Sequence, residues 1–203
     1  MDAREARTLD GQTTTVAPRA IEGLADRLVG PVILPENPNY DSAREVWNGM
    51  IGKEPALIAR CMGTADVIAA VRFARDRDLR VAIRGGGHNV AGTAVCDGGL
   101  VIDLSATDGV RVGPHDQTAW VQAGATWADL DRETQVFGLA TPGGVVSDTG
   151  IAGLTLGGGI GHLRCKHGLS CDALQAAEVV TAEGEVLRAS AAENTDLFWA
   201  LRG

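Results

Sequence analysis

Two runs of this sequence carry residue types whose spacing could do chemistry. The first is Arg84–Gly85–Gly86–Gly87–His88–Asn89. The second extends from Gly150 through Gly153, Gly157, Gly158 and Gly159 to Gly161. Three successive glycines expose consecutive backbone N–H groups with no side chain in the way, the composition of an anion-binding nest. A pyrophosphate fits such a nest, and a second surface of small residues can grip an extended dinucleotide from the other side. Taken alone, glycine clusters are equally compatible with flexible loops at a lobe interface.

Other nucleotide motifs fail on inspection. Neither cluster satisfies G-x-G-x-x-G, and no G-x-x-x-x-G-K-[ST] is present, so the dinucleotide fingerprint and the P-loop are both excluded. A third constellation, His162, Cys165, His167 and Cys171, has the residue types of a zinc site, and a metal-binding module is one reading of it. Its interval is compressed and interrupted by glycine, which disfavours that reading. Cys165, between Arg164 and Lys166, has the setting of a low-pKa thiol, although a passive role is the simpler expectation.

The elements that must position these groups are legible in the hydrophobic pattern. Residues 1–17 are polar and Thr-rich and predict a mobile tail. An amphipathic helix with Ile21, Leu24, Ala25 and Leu28 on one face follows, with Gly30 as its stop. Ala56–Ala59, Arg80–Arg84 and Leu100–Leu104 are strands, and Thr64 starts a helix between the first two, which predicts a small, mostly parallel sheet. Thr118–Gln122 alternates as a strand. Thr126 and Asp129 form a capping box for a helix with Trp127, Leu130, Thr134 and Phe137 on its inner face, ended by Gly138. Glu183–Gly184 joins two strands as a hairpin, and Asn194–Asp196 starts a final helix. The expected division is a first lobe at 18–105 and a second at 106–203. Trp47, Trp120, Trp127 and Trp199 are expected in the core. A helix that ends Leu201–Arg202–Gly203 predicts a truncated chain.

The 203 residues carry a formal charge of −8, which argues against a nucleic-acid partner or an anionic membrane surface. The N-terminus lacks an apolar signal region, and no stretch approaches the roughly 20 apolar residues of a membrane span. Four cysteines at irregular spacing do not form a disulfide scaffold. A cytoplasmic protein with reduced thiols is the expectation.

The run Arg84–Asn89 followed by Leu100–Leu104 resembles the FAD-binding domain of the berberine bridge enzyme-like oxidases, in the wider vanillyl-alcohol oxidase / p-cresol methylhydroxylase superfamily. The resemblance continues through Thr141–Gly150, Leu156–Gly161, Gly168–Asp172 and Glu193–Gly203, so that it covers nearly the whole chain from about residue 40. It implies an α+β fold of the two-lobed p-cresol methylhydroxylase type, lacking a substrate domain, with FAD between the lobes. It implies cofactor contacts from Arg84, Gly85, Gly86, Gly87, His88, Asn89, Gly92, Val146, Ser147, Thr149, Gly150, Gly153, Leu154, Gly157, Gly159, Ile160 and Val180. Val180 would line the adenine site. Ser147, Thr149 and Gly150 would approach the flavin or its phosphates, and Arg84 would be either structural or a phosphate contact.

By the same resemblance, His88 occupies the position that carries FAD through the 8α carbon of the flavin ring, whose tautomer is electrophilic enough for a neutral imidazole to attack. Some members add a second bond through a cysteine; here that position is Val146, so a single histidyl link is implied. Leu154 stands where a histidine is common. The run His162–Leu169 departs from the family's aromatic-Arg-Lys-Tyr-Gly-Leu pattern, which puts the flavin or substrate face there in doubt. The implied activity is oxidation of the CH–OH or C–H group of an alcohol, sugar or secondary metabolite, by hydride transfer to flavin N5 with dioxygen as acceptor. A dehydrogenase that avoids oxygen and a flavin-binding remnant without turnover are the rival readings. The catalytic base is unassigned. A small-molecule substrate and dioxygen are the implied partners, with a missing substrate domain or a homo-oligomer as the macromolecular ones.

Overall fold

The computed structural model describes residues 3–202, and the sequence motif that ends at Gly203 therefore extends one residue beyond them, as residues 1 and 2 of the expected tail lie before them. The chain divides into two compact units. Unit 1 comprises residues 1–106 and 180–185, and unit 2 comprises 107–179 and 186–203. The division falls after Ala106, and the tip of the late hairpin belongs to unit 1.

Unit 1 opens with β1 (Arg4–Arg7) and β2 (Thr13–Val16), an antiparallel pair with Arg4 opposite Val16. This corrects the expectation of a mobile tail. The stretch is polar because only alternate side chains turn inward: Ala6 and Val16 are buried while the threonines between face out. The Arg7 N–H donates to the Gly98 carbonyl and the Arg80 N–H to the Arg7 carbonyl, each at 2.8 Å, so the hairpin is tied to the rest of the unit. Helix α1 (Pro18–Ala25) buries Ile21 and Leu24 and ends at Asp26. Gly30 is therefore not its stop. A Cβ there would stand 1.8 Å from the Arg60 carbonyl oxygen, so glycine is required for close backbone approach.

Next come β3 (Val32–Ile33), α2 (Tyr40–Arg44), β4 (Leu57–Arg60), α3 (Thr64–Arg75), β5 (Val81–Arg84) and β6 (Leu100–Asp103). The sheet order is β3-β4-β6-β5. Its last three strands are parallel, with Leu57 and Val81 both in register with Leu100, and β3 runs antiparallel at the edge. The central strands read as continuous apolar runs because both faces are covered, and Leu57, Ile58, Leu100, Val101 and Ile102 are all buried. Buried Asp66 accepts the N–H groups of Val29, Gly30 and Met62, so it stitches the chain after α1 to α3. Tyr40 begins α2 rather than lying in a loop. Its hydroxyl donates to the Pro55 carbonyl at 2.7 Å, and burial pushes its pKa up to about 12.

Unit 2 holds β7 (Val110–Gly113) paired antiparallel with β8 (Thr118–Val121), then α4 (Trp127–Gln135), α5 (Ile151–Leu156), α6 (Arg164–His167) and a 3-10 turn (Ser170–Ala173). The chain closes with β9 (Ala176–Val180), its partner β10 (Val186–Ser190) and α7 (Thr195–Ala200). The α4 box is formed: the Asp129 carboxylate accepts the Thr126 N–H at 2.8 Å and the Thr126 hydroxyl at 2.7 Å. Trp127, Leu130 and Thr134 face inward, but Phe137 does not, because the helix ends at Gln135 and the turn before Gly138 carries Phe137 to the surface. Trp127 is the one tryptophan in the core; Trp47, Trp120 and Trp199 are exposed, against expectation. Trp120 stands on a two-stranded ribbon, which can bury only what another element covers. The Gly184 turn packs in unit 1, where Arg72 and Arg75 of α3 donate to the carbonyls of Gly184 and Glu183. No helix is long and apolar enough to cross a membrane among the described residues.

Candidate functional site

In unit 1 the site starts where β5 ends. Backbone pairing stops just beyond Arg84, whose carbonyl accepts the Leu104 N–H at 2.8 Å. The chain then bends through Gly85 and Gly86, and Gly87 takes φ +71°, a left-handed conformation that favours glycine. Among the described residues, no partner takes the N–H groups of Gly85, Gly86 and Gly87. With Gly87 buried and Gly85 and Gly86 half-buried, three such donors in succession have the character of a nest for an acceptor from outside the chain. Gly92 also takes positive φ, +68°, and Ile51 fills the place of its Cβ.

His88 follows directly, half-buried, its ring stacked on Trp47 with centroids 5.5 Å apart and planes 23° apart. Asn89 is exposed, and its Oδ1 accepts the Thr93 N–H at 3.3 Å. Arg84 points back toward α2: its Nη1 donates to the Ala43 carbonyl, while its buried Nε has no partner among the described residues. Of the two roles open to Arg84, the observed contact is the structural one. Val180 is half-buried in the same unit. Trp47 was missed in the sequence. An aromatic side chain in a loop forty residues upstream carries no local signal that it stacks on His88.

In unit 2 the expected site residues lie within α5 and on both sides of it. The loop before it is strapped to the start of α4, with Trp127 N–H donating to Thr149 at 3.1 Å, Ala128 N–H to Ser147 at 2.8 Å and Ile151 N–H to Ala125 at 2.9 Å. Gly150 pairs across to Thr126 as an isolated bridge. Several glycines here are explained by packing. A Cβ on Gly161 would stand 1.5 Å from the Gly143 carbonyl oxygen, one on Gly143 would stand 2.4 Å from Trp127 Cζ3, and one on Gly159 would stand 2.3 Å from Ser170 Oγ. Gly158 and Gly159, at φ +97° and +79°, accept the N–H groups of Cys171 and Ser170 through their carbonyls, each at 2.9 Å. Gly153 differs, because a Cβ there meets nothing within 4 Å, and Gly157 has only ordinary contacts. Leu154 is half-buried, with a methyl 2.7 Å from where a Gly144 Cβ would lie. Val146, Ser147 and Ile160 are exposed, which leaves apolar side chains and a hydroxyl on the surface beside the open helix face.

The zinc reading finds no geometry. His162, Cys165 and His167 are exposed, Cys171 is buried, and no group of three or more His, Cys, Asp or Glu is placed to hold a metal ion among the described residues.

The profile of the family described as "FAD binding domain" matches residues 55–190, most of the chain and all of both glycine regions. The chain belongs to the FAD-linked oxidases of the vanillyl-alcohol oxidase and berberine bridge enzyme-like type. It is 40% identical over 174 residues to the (R)-6-hydroxynicotine oxidase of Paenarthrobacter nicotinovorans, a match that covers 86% of this chain and 38% of that protein. The FAD-linked oxidoreductase of Dictyostelium discoideum is likewise 40% identical over 157 residues, 77% of this chain and 34% of the relative. Among solved structures, 6-hydroxy-D-nicotine oxidase from Arthrobacter nicotinovorans superposes with a TM-score of 0.85 at 39% identity, over 87% of this chain and 39% of that one. Chitooligosaccharide oxidase superposes at 0.84 with 31% identity, over 91% and 40%. The chain thus spans about two fifths of the length of the relatives it matches. Its α+β fold is that of the FAD-binding domain of these oxidases, and FAD is the cofactor of the family.

The residues present fit that cofactor. A glycine run with three unclaimed N–H groups suits an anionic diphosphate, and the open face at Gly153 would admit a ligand that any larger side chain would obstruct. Both regions belong to one family match, which runs from 55 to 190 without a break.

Proposed function

We propose that this chain is the FAD-binding part of an oxidase that holds its cofactor through one covalent bond from His88 and oxidises a CH–OH or related C–H group of an alcohol, sugar or secondary metabolite. The single observation that supports the attachment is the placement of an imidazole directly after three N–H groups that no partner takes among the described residues. Bound FAD accepts a hydride equivalent at N5 and passes the electron pair to dioxygen, which leaves as hydrogen peroxide. The protein's part is to hold and orient. Gly85, Gly86 and Gly87 would donate to the diphosphate of bound FAD, and that anchor would set where His88 meets the flavin edge. His88 would be the residue that forms the single C–N bond to the 8α carbon of bound FAD; the imidazole and that carbon would each give up one proton, and the electron pair would leave through the flavin to dioxygen. Val146 cannot supply a second covalent bond, so the link is single.

Two relatives that bear the name oxidase support dioxygen as acceptor, and a similar structure titled a glucose dehydrogenase supports the other arm. Peroxide release on anaerobic reduction and re-aeration separates the two. The test of attachment is acid precipitation. The denatured protein is expected to stay yellow, a peptide map to place the added mass on the peptide containing His88, and His88→Ala to bind FAD that acid extracts completely. Covalent flavin that survives in His88→Ala refutes the assignment.

A further inference from the structure

The carboxyl ends of the parallel strands carry three charged residues abreast. Arg60 of β4, Asp103 of β6 and Arg84 of β5 are in register, which places them on one face of the sheet. Asp103 is fully buried, and its carboxylate is already engaged: it accepts Arg60 Nε at 2.9 Å and the Ser105 N–H at 3.0 Å. Arg84 is left with no carboxylate partner among the described residues. Its Nη1 donates to the Ala43 carbonyl, and its buried Nε has no partner among them. A carbonyl takes a hydrogen bond without cancelling a charge, so the row holds one positive charge in excess. Acids are not scarce in a chain with 26 Asp and Glu against 18 Lys and Arg. The guanidinium lies beside the glycine run: a Cβ on buried Gly87 would stand 3.5 Å from Arg84 Nε and 3.9 Å from Nη2.

We infer that Arg84 sets the cofactor specificity of this site: its guanidinium, beside Gly87 and without a carboxylate partner, supplies positive charge to a diphosphate held on the Gly85–Gly87 N–H groups and so favours a dinucleotide flavin over one without phosphate. This deepens the diphosphate contact proposed above and rests on it. A charge taken out of water without a counter-ion is costly, and the cost falls when an anion arrives nearby. The interaction crosses partly buried backbone, where a charge is felt more strongly than through water. Open sheets with parallel strands bind ligands outside the carboxyl ends of those strands, so the surplus charge lies at the ligand's end of the sheet. Arg84 needs no direct contact with FAD: the hydrogen bond to Ala43 holds the guanidinium, and its charge acts from a distance.

The experiment titrates the full chain in a His88→Ala background, where FAD is expected to bind reversibly, with FAD and with riboflavin, which has no phosphate. Arg84→Gln removes the charge and keeps a donor for the Ala43 carbonyl, and Arg84→Lys keeps the charge. We expect Arg84→Gln to bind FAD about tenfold more weakly than the parent and riboflavin within about twofold of it, and Arg84→Lys to bind FAD within about threefold of the parent. Parental FAD affinity in Arg84→Gln overturns the proposal. So does an equal loss for both flavins, or an Arg84→Lys as weak for FAD as Arg84→Gln, because Arg84 then only shapes the loop. Should Arg84→Gln fail to fold, Arg84→Lys decides: a parental preference for FAD over riboflavin supports the charge, and a lost preference overturns it. Gly87→Ala in the same background reports on the diphosphate itself. If it binds FAD as tightly as the parent, the diphosphate lies elsewhere and the contact proposed above fails together with this inference. If it weakens FAD while Arg84→Gln does not, only the role of Arg84 falls.

Discussion

After β5, Gly85, Gly86 and Gly87 leave three backbone N–H groups without a partner among the described residues, whereas around α5 the places of the missing side chains at Gly143, Gly159 and Gly161 are already taken by Trp127, Ser170 and a backbone carbonyl. The same residue type serves two ends. In unit 1 it leaves backbone donors open, and in unit 2 it lets chain pack on chain. A count of glycines therefore says little about a site, and the atom that would meet an added Cβ says much. Substitutions at these positions can break or sharpen the contrast.

The largest effect is expected at Gly161. A methyl placed 1.5 Å from the Gly143 carbonyl cannot be relieved by a side-chain rotation, because both partners are backbone. Gly161→Ala should destabilise unit 2 by about 3 kcal/mol or more, the upper range of overpacking. Denaturant unfolding followed by Trp127 fluorescence would report it, and a loss below about 1 kcal/mol would mean that the glycines of unit 2 are not packing residues.

Gly87→Ala should cost less stability and more ligand. The added Cβ meets Arg84 Nε at an ordinary 3.5 Å, so the penalty is conformational, about 1–2 kcal/mol for holding an alanine at φ +71°. If the N–H groups of this run hold the diphosphate as proposed, FAD affinity should fall further than stability, because those groups are redirected. Titration with FAD beside thermal unfolding separates the two, and equal losses would place Gly87 with the packing glycines.

Much of the frame that carries these loops was legible in the sequence, for physical reasons that differ by element. The central strands β4 and β6 announce themselves because two-sided burial demands unbroken apolar runs, edge strand β5 because its short apolar run Val81–Ile83 leads into the glycines, and the α4 box because Thr126 and Asp129 sit three residues apart. The β1–β2 hairpin was hidden because its buried set is only alternate small residues among threonines. The motif around His88 was legible by type and order. The sorting of glycines was not, because their neighbours lie far along the chain: Gly143 against Gly161, Ser170 against Gly159, Ile51 against Gly92. Trp47 was unreadable for the same reason.

The α4 box offers a control that touches packing without touching glycine. Hydrogen bonds from the Thr126 hydroxyl and then the Thr126 N–H hold the Asp129 carboxyl below its ordinary pKa. A depressed folded value means that the carboxylate's contribution is fully present above the unfolded pKa, about 3.9, and is lost as pH falls through the folded value. Asp129→Ala should cost about 1 kcal/mol at neutral pH, the usual worth of a cap, and the cost should vanish on acidification below that window. A penalty that persists in acid would show that Asp129 acts through something other than its charge.

The smallest expected change in stability is the most informative, because its sign is reversed. Gly153 lies inside α5, where glycine is less favourable than alanine by about 0.5–1 kcal/mol, and an added Cβ there meets no atom within 4 Å. The protein alone thus gains from Gly153→Ala. If the open face is where FAD passes close to the helix, the same methyl occupies the ligand's space, and affinity should fall while the flavin-free chain unfolds at a slightly higher temperature. Opposite shifts in the two measurements would show that unit 2 also holds one glycine for the ligand's sake. Higher stability with undiminished affinity would remove Gly153 from the site and leave unit 2 with packing glycines only.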